Sequence, residues 1–179
     1  MSTSTIVSVI SEERIAYLEG IVSQARTAAA VFTQYTQEDV DRIVKPMVLA
    51  GLEQAQYLAR LAIEETKLGV LEDKAIKNMV ATEFVYNYVK DKRTVGVIRE
   101  FPERNLVEMA EPIGVILSLT PITNPTSTVL FKCIMAIKTR NAVIFSPHPS
   151  AGLPELYAAL TAPGPPVASI IATSLCRIR

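Results

Sequence analysis

The sequence predicts an α/β fold in which helices come first, a strand hairpin follows, and a strand–helix–strand (βαβ) unit comes last. Three observations predict it. Residues 113–179 hold only six of the 36 Asp, Glu, Lys and Arg side chains, which is typical of buried elements. Apolar residues recur at helical spacing up to residue 91, and short strand-like runs replace them after residue 94. Two of these runs enclose a segment with helical spacing, which is the pattern of a βαβ unit.

The first predicted helix begins after Ser11, a residue that favours the N-cap position. Glu12 and Glu13 suit its first turn, because the helix dipole favours negative charge there. Its apolar residues follow spacings of three and four and therefore form a stripe on one face: Ile15, Leu18, Val22, Ala25, Ala29 and Phe32.

The second predicted helix begins at Thr36, which with Asp39 forms the S/T-x-x-D/E capping pattern. It continues to Gly69, a residue typical of the position just after a helix. Pro46 lies inside this segment, so we expect a kink or a break there. A third helix is predicted over residues 72–91.

Strands are predicted next. Residues 94–100 and 105–110 are short and partly alternating, and the Phe-Pro-Glu-Arg segment between them predicts a hairpin. Residues 113–119 (IGVILSL) form a continuous apolar run, as expected of a strand buried on both faces. A helix over residues 126–139 and a second buried strand over residues 142–145 complete the βαβ unit.

Composition argues against several classes of function. The chain has 179 residues, and its 18 Lys and Arg balance 18 Asp and Glu, whereas a nucleic-acid binder or polybasic membrane anchor needs a basic face. Two cysteines are too few for a disulfide-rich secreted scaffold. The sequence shows no signal-peptide pattern and no apolar run of the roughly 18 residues that a membrane span needs. We therefore expect a soluble, cytoplasmic protein with no nucleic-acid or membrane partner.

Ligands of open α/β sheets bind beyond the carboxyl ends of the strands. Residues 120–125 (TPITNP) and 146–149 (SPHP) follow the two strands of the predicted βαβ unit. No G-x-G-x-x-G is present, so a dinucleotide bound here could not use the glycine fingerprint. Taken alone, Asn124 is more typical of a helix cap, and His148 of a solvated turn, than of a ligand site.

Three segments carry a family resemblance. Residues 111–132 (EPIGVILSLTPITNPTSTVLFK) and 136–151 (AIKTRNAVIFSPHPSA) resemble the aldehyde dehydrogenase superfamily. The S-P-H-P motif and residues 91–112 are similar to its CoA-acylating branch, which includes the aldehyde dehydrogenase half of bifunctional aldehyde-alcohol dehydrogenases. The resemblance covers roughly residues 10–150.

The resemblance implies an incomplete Rossmann-like βαβ unit of the aldehyde dehydrogenase fold. Residues 1–150 would form a partial dinucleotide-binding domain with a helical N-terminal part, in which residues 94–110 form a strand arm used in oligomerisation. Residues 151–179 no longer resemble the family, and we interpret them as a divergent tail of a truncated or frame-disrupted gene product.

The resemblance also implies a reaction, in which an aldehyde is oxidised with NAD through a thioester that is passed to coenzyme A. It makes Asn124 the catalytic donor of a hydrogen bond to the aldehyde oxygen. The backbone along the nicotinamide side of the cofactor would be that of Leu119, Thr120, Pro121, Ile122 and Thr123. Ser146 and His148 would lie where the adenosine ribose and phosphate pass. Many family members have Lys at the position of Ser146 and Glu at that of Pro149, and no acidic residue follows the second strand, so the choice between NAD and NADP stays open. No metal site is predicted.

The catalytic cysteine of the family comes downstream of the last residue of this chain. Cys133 lies mid-helix among apolar residues, which predicts a buried structural thiol. Cys176, near Arg177 and Arg179, is interpreted as an incidental reactive thiol.

Three functions therefore stay open. The first is a fragment of a CoA-acylating aldehyde dehydrogenase that is inactive alone. The second is a non-catalytic fragment that binds nucleotide or associates with intact subunits, and homo-oligomerisation is open for both. The third is a helical scaffold without a ligand. We also expect exposed apolar surface and self-association, since two-stranded sheets are marginal alone.

Overall fold

The computed structural model describes residues 11–151, and its elements follow the predicted order of helices, hairpin and βαβ unit. The helices are α1 (Glu12–Phe32), α2 (Gln37–Glu53), α3 (Ala55–Thr66), α4 (Leu71–Met79), α5 (Val85–Val89) and α6 (Pro125–Lys138), with a π-helical turn (Val80–Phe84) between α4 and α5. The strands are β1 (Gly96–Phe101), β2 (Leu106–Ala110), β3 (Val115–Thr120) and β4 (Ala142–Pro147), with a 3-10 turn (Pro102–Arg104) between β1 and β2. The predicted tail and Cys176 lie outside the described residues, and the domain boundary stays a prediction.

The first two helices begin where the sequence predicts. Ser11 Oγ accepts a hydrogen bond from the Arg14 N–H at 3.3 Å and caps α1. Thr36 and Asp39 form the predicted capping box at the start of α2. The Asp39 N–H donates to Thr36 Oγ1 at 3.2 Å, and the Thr36 N–H donates to Asp39 Oδ2 at 3.0 Å. These starts were predictable because a cap satisfies orphan N–H groups with residues close in sequence.

The predicted second helix is wrong in two places. It breaks at Gln54 between α2 and α3, while Pro46 stays inside α2. Proline removes one backbone donor, but the buried residues that follow it, Met47 and Val48, pack into the core and hold the helix. The segment also ends earlier than Gly69: Lys67 takes the left-handed conformation (φ 57°), and its N–H donates to the Ile63 carbonyl at 2.8 Å.

The predicted hairpin and βαβ unit are confirmed. β1 pairs antiparallel with β2, with Phe101 opposite Leu106. β3 and β4 pair in parallel with α6 as the crossover, in a register that runs from Val115–Ala142 to Thr120–Pro147. Among the described residues, each pair forms its own two-stranded sheet.

The β3–β4 sheet lies between helices on its two faces. α1 packs on one face, where its small residues meet Ala142, Ile144 and Val115. α6 packs on the other face and also contacts α2, α3, α4, α5 and the π-helical turn. The main core lies on this second side and includes Phe32, Val44, Leu58, Val129, Leu130, Ile134, Ile137, Val143 and Phe145.

Burial of β3 on both faces was wrongly predicted. Leu117 is 59% exposed and Leu119 is 68% exposed, although β4 beside them is buried over Ala142–Phe145. The reason is the placement of α1, whose cluster of buried and packed residues includes only Val115 from β3. Separately, none of the described helices combines the length and apolar character needed to cross a lipid bilayer.

Candidate functional site

Two loops meet at the carboxyl end of the parallel strands. Leu119 of β3 lies beside Ser146 of β4, and Thr120 lies beside Pro147. Beyond this point the His148 N–H donates to the Thr120 carbonyl at 3.0 Å. The structure therefore brings residues 120–125 and 146–149 to the one sheet edge at which α/β proteins bind ligands.

The loop over residues 120–125 is held through its backbone carbonyls. Lys132 Nζ donates to the Leu119 carbonyl at 2.9 Å, just before the loop. Lys74 Nζ, from α4, donates to the Thr123 carbonyl at 2.7 Å. The Thr128 N–H donates to the Asn124 carbonyl at 3.1 Å, as the first bond of α6. The loop backbone and the residue before it thus accept hydrogen bonds from two helices, α6 and α4.

Asn124 is the N-cap residue of α6, but its side chain does not cap that helix. Its backbone is neither helical nor extended (φ −140°, ψ 57°), and its Nδ2 donates one long hydrogen bond of 3.4 Å to Thr123 Oγ1. The alternative interpretation of Asn124 as an ordinary helix cap therefore fails on geometry. A half-buried amide with this single weak contact has donor capacity left for a ligand.

The residues at this edge suit a bound nucleotide. Thr120 Oγ1 and Ser118 Oγ are buried on β3 without a hydrogen-bond partner among the described residues, and unsatisfied buried hydroxyls are uncommon. Leu119 and Pro121 are exposed beside them and offer apolar surface to a flat ring. The 14-residue helix α6 starts at the same edge without a side-chain cap, and a helix N-terminus favours phosphate.

The second loop carries His148 at the surface. Its Nδ1 accepts a hydrogen bond from the Ser150 N–H at 3.1 Å, so this ring nitrogen is used within the turn. Ser146 is half-buried on β4 next to Leu119. Both residues lie at the edge as the sequence predicts, and their roles stay predictions.

Cys133 is buried on α6, as the sequence predicts. Burial raises the pKa of its thiol to about 12. Since the thiolate is the reactive form, Cys133 is not a nucleophile. Within residues 11–151, no group of three His, Cys, Asp or Glu side chains forms a candidate metal site.

The sequence interpretation missed two buried polar residues of α4. Lys74 bonds the site loop, and Asn78 accepts a hydrogen bond from Thr126 Oγ1 at 2.8 Å at the start of α6. A signal was present, because Lys74, Asn78 and Thr82 follow one another at spacings of four. Polar residues at that spacing mark one helix face, and this face is the buried one.

The fold is that of an α/β protein. Helix α6 begins at the carboxyl edge of its parallel strands, where such proteins bind ligands, and the Asn124 side chain at this edge does not cap the helix. Comparison with known proteins gives the family. The sequence profile of the aldehyde dehydrogenase family matches residues 2–162, so the chain belongs to this family.

The relatives it matches are aldehyde dehydrogenases, and two of the three described here are acetylating by name. The chain is 44% identical over 137 residues to the bifunctional aldehyde-alcohol dehydrogenase AdhE of Escherichia coli K12. The aligned residues make up 76% of the chain and 15% of that protein. It is 42% identical over 134 residues to the succinate-semialdehyde dehydrogenase (acetylating) of Clostridium kluyveri, covering 75% of the chain and 30% of that protein. The crystal structure of an acetylating aldehyde dehydrogenase from Geobacillus thermoglucosidasius superimposes with a TM-score of 0.82 at 36% identity, covering 94% of the chain and 38% of that structure. The chain thus spans well under half the length of each of these relatives.

Proposed function

We propose that the chain is the nucleotide-binding part of an NAD-dependent, CoA-acylating aldehyde dehydrogenase. The overall reaction converts an aldehyde, NAD⁺ and coenzyme A into acyl-CoA, NADH and a proton. The observation that carries the proposal is that the side-chain amide of Asn124 lies at the edge of the parallel strands and does not cap α6. Similar solved structures support the ligand classes: one contains propionyl-CoA, and an engineered glycolyl-CoA reductase contains NADP⁺.

The cofactor would bind along the two loops of this edge. The backbone of residues 119–123 would follow its nicotinamide side, while Ser146 and His148 would line its adenosine ribose and phosphate. The nicotinamide ring of the cofactor supplies a hydride acceptor when the cofactor is bound. The loop residues would position and shield it, and the exposed side chains of Leu119 and Pro121 would exclude water from the ring face.

Asn124 would act on the aldehyde. Its amide N–H would donate to the aldehyde oxygen as negative charge develops there, and loss of one such donor costs about 2.7–4 kcal/mol of barrier. The thiol nucleophile must come from outside residues 11–151, because Cys133 is buried with a raised pKa. We therefore expect the chain alone to bind nucleotide without turnover.

Titration of the 179-residue chain with NADH, followed by fluorescence, tests the binding step. We expect saturable binding. Ser127→Asp should weaken it about tenfold, because Ser127 lies in the first turn of α6, the end that favours phosphate, and one like charge beside a phosphate costs on the order of 1 kcal/mol or more at close range. Ser23→Asp, which adds the same charge to the exposed side of α1, is the matched control and should leave the affinity unchanged. NADPH measured alongside decides the choice of nucleotide.

Three outcomes of this test decide between the candidates. An absence of saturable binding would leave only a helical scaffold. Equal loss of affinity in both variants would remove the site from this edge. NADH formation from acetaldehyde, NAD⁺ and coenzyme A by the chain alone would refute its inactivity, and Asn124→Ala and Cys176→Ser would then identify the groups responsible.

Binding without turnover also fits the second candidate, a fragment that associates with intact subunits. Co-purification of the chain with a full-length relative would reveal this association.

A further inference from the structure

Lys74 is a buried lysine that serves the site loop. It is only 5% exposed, and its Nζ donates to the Thr123 carbonyl at 2.7 Å. It forms no ion pair with a carboxylate among the described residues. Burying an ammonium group without a counter-charge is costly, and burial, together with the charge of Lys77, lowers the pKa of this group. A methionine would fill the same space at lower cost, so the hydrogen bond to the loop is what distinguishes lysine here.

Asn78 lies one helical turn further along the same face of α4. It is 1% exposed, and both ends of its amide are used. Nδ2 donates to the Ala55 carbonyl at the start of α3 at 2.9 Å, and Oδ1 accepts from Thr126 Oγ1 at 2.8 Å. Thr126 is itself buried in the first turn of α6. Asn78 therefore ties α6 to the packed pair of helices α3 and α4.

These two contacts lie on either side of two residues, Asn124 and Pro125. Lys74 holds the carbonyl of Thr123, and Asn78 holds the side chain of Thr126, so Asn124 lies between them. Among residues 11–151, the hydrogen bond found for the Asn124 side chain is the 3.4 Å contact to Thr123, which is long and holds the amide weakly. Its direction depends on the backbone that α4 holds.

We propose that Lys74 and Asn78 are positioning residues, which hold the backbone on both sides of Asn124 from the buried face of α4 and so set the direction of its amide. The inference rests on the proposed function only for the ligand that Asn124 meets. The positioning itself is a property of the folded chain and can be measured without a ligand.

Hydrogen exchange measured by mass spectrometry tests the positioning in the 179-residue chain. Lys74→Met removes the donor to Thr123, and Thr126→Val removes the donor to Asn78 with little change of shape. We expect amides in residues 120–127 to exchange about tenfold faster in each variant, the size typical of one lost hydrogen bond to a charged or buried group. Lys45→Met removes the same charge from the exposed side of α2 and should leave this segment unchanged.

The Asn124 amide gives a readout that a purely stabilising role would not move. In a chain labelled with ¹⁵N-asparagine, its side-chain signals are assigned by their loss in Asn124→Ala. We expect them to shift or broaden in Lys74→Met and in Thr126→Val and to stay in place in Lys45→Met. A lower melting temperature with an unmoved Asn124 signal would overturn the proposal, and so would unchanged exchange of residues 120–127 in both variants. Failure of the wild-type chain to bind NADH would instead overturn the proposed function, while the exchange and the amide signals would still decide the positioning.

Discussion

Cys133 shows how a single environment decides the chemistry of a residue. The thiol lies on α6 among Leu130, Ile134 and Ile137, and burial raises its pKa to about 12. At pH 8 only about one thiol in ten thousand would be ionised at that pKa, and the side chain is also shielded from reagents. We expect a Cys176→Ser chain to resist a thiol reagent at pH 8 while folded and to react with one equivalent after unfolding in guanidinium. Mass spectrometry of the labelled chain measures this, and rapid labelling of the folded variant would contradict the buried assignment.

Single residues at the site were only partly predictable. The sequence places Asn124 at the start of a helix after a strand, and the structure has it there. Whether its side chain caps the helix depends on a dihedral angle that no local pattern encodes. The buried lysine is harder still, because a helical period shows which residues share a face but not which face is covered. Lys74 is covered because Gly69 and the site loop pack over it from other parts of the chain.

Element starts were predictable and element breaks were not. Ser11, Thr36 and Asp39 satisfy N–H groups within three residues, so the signal is local. The break at Gln54 and the π-helical turn Val80–Phe84 have no such signal, because they adapt helices to their neighbours. Gln54 separates two helices whose buried faces both contact α6. Packing against α6 therefore determines where the helix breaks, and the helix continues through Pro46.

Gly20 and Gly51 both lie in helices, but they differ in how closely other side chains pack against them. A Cβ at Gly51 of α2 would lie 2.9 Å from both Leu130 Cδ2 and Thr82 Cγ2, which are buried on α6 and in the π-helical turn. A Cβ at Gly20 of α1 would have nothing within 4 Å. Alanine in a helix is favoured over glycine by about 0.5–1 kcal/mol, and overpacking of a core costs about 1–3 kcal/mol.

We therefore expect opposite signs for the same substitution. Gly20→Ala should raise the free energy of unfolding by about 0.5–1 kcal/mol, whereas Gly51→Ala should lower it by about 1 kcal/mol or more. Urea unfolding followed by circular dichroism gives both values on one scale. Stabilisation by Gly51→Ala would show that α2 and α6 can separate at no cost.

At the scale of the whole molecule, apolar residues remain at the surface of the described part. Ile113, Leu117 and Leu119 line and precede β3, and a second exposed group follows the outer side of α4 and the turn after it: Ile76, Met79, Val80 and Phe84. The outer side of α4 thus carries apolar Ile76 and Met79 beside charged Glu72, Asp73 and Lys77, and its buried side carries Lys74 and Asn78. Exposed patches of this kind mark surfaces that contact other protein.

Self-association is the consequence for the 179-residue chain. β3 pairs only with β4 among the described residues, so an open strand edge lies beside exposed leucines. The formal net charge is zero, so charge repulsion does not oppose association. We expect sedimentation velocity at micromolar concentration to show species larger than the monomer, and the double variant Leu117→Thr/Leu119→Thr to shift them toward the monomer. Val31→Thr/Leu49→Thr removes two equally exposed apolar side chains from α1 and α2 and should change little. A wild-type chain that sediments as a monomer and melts in one sharp transition would mean that this strand edge is already protected.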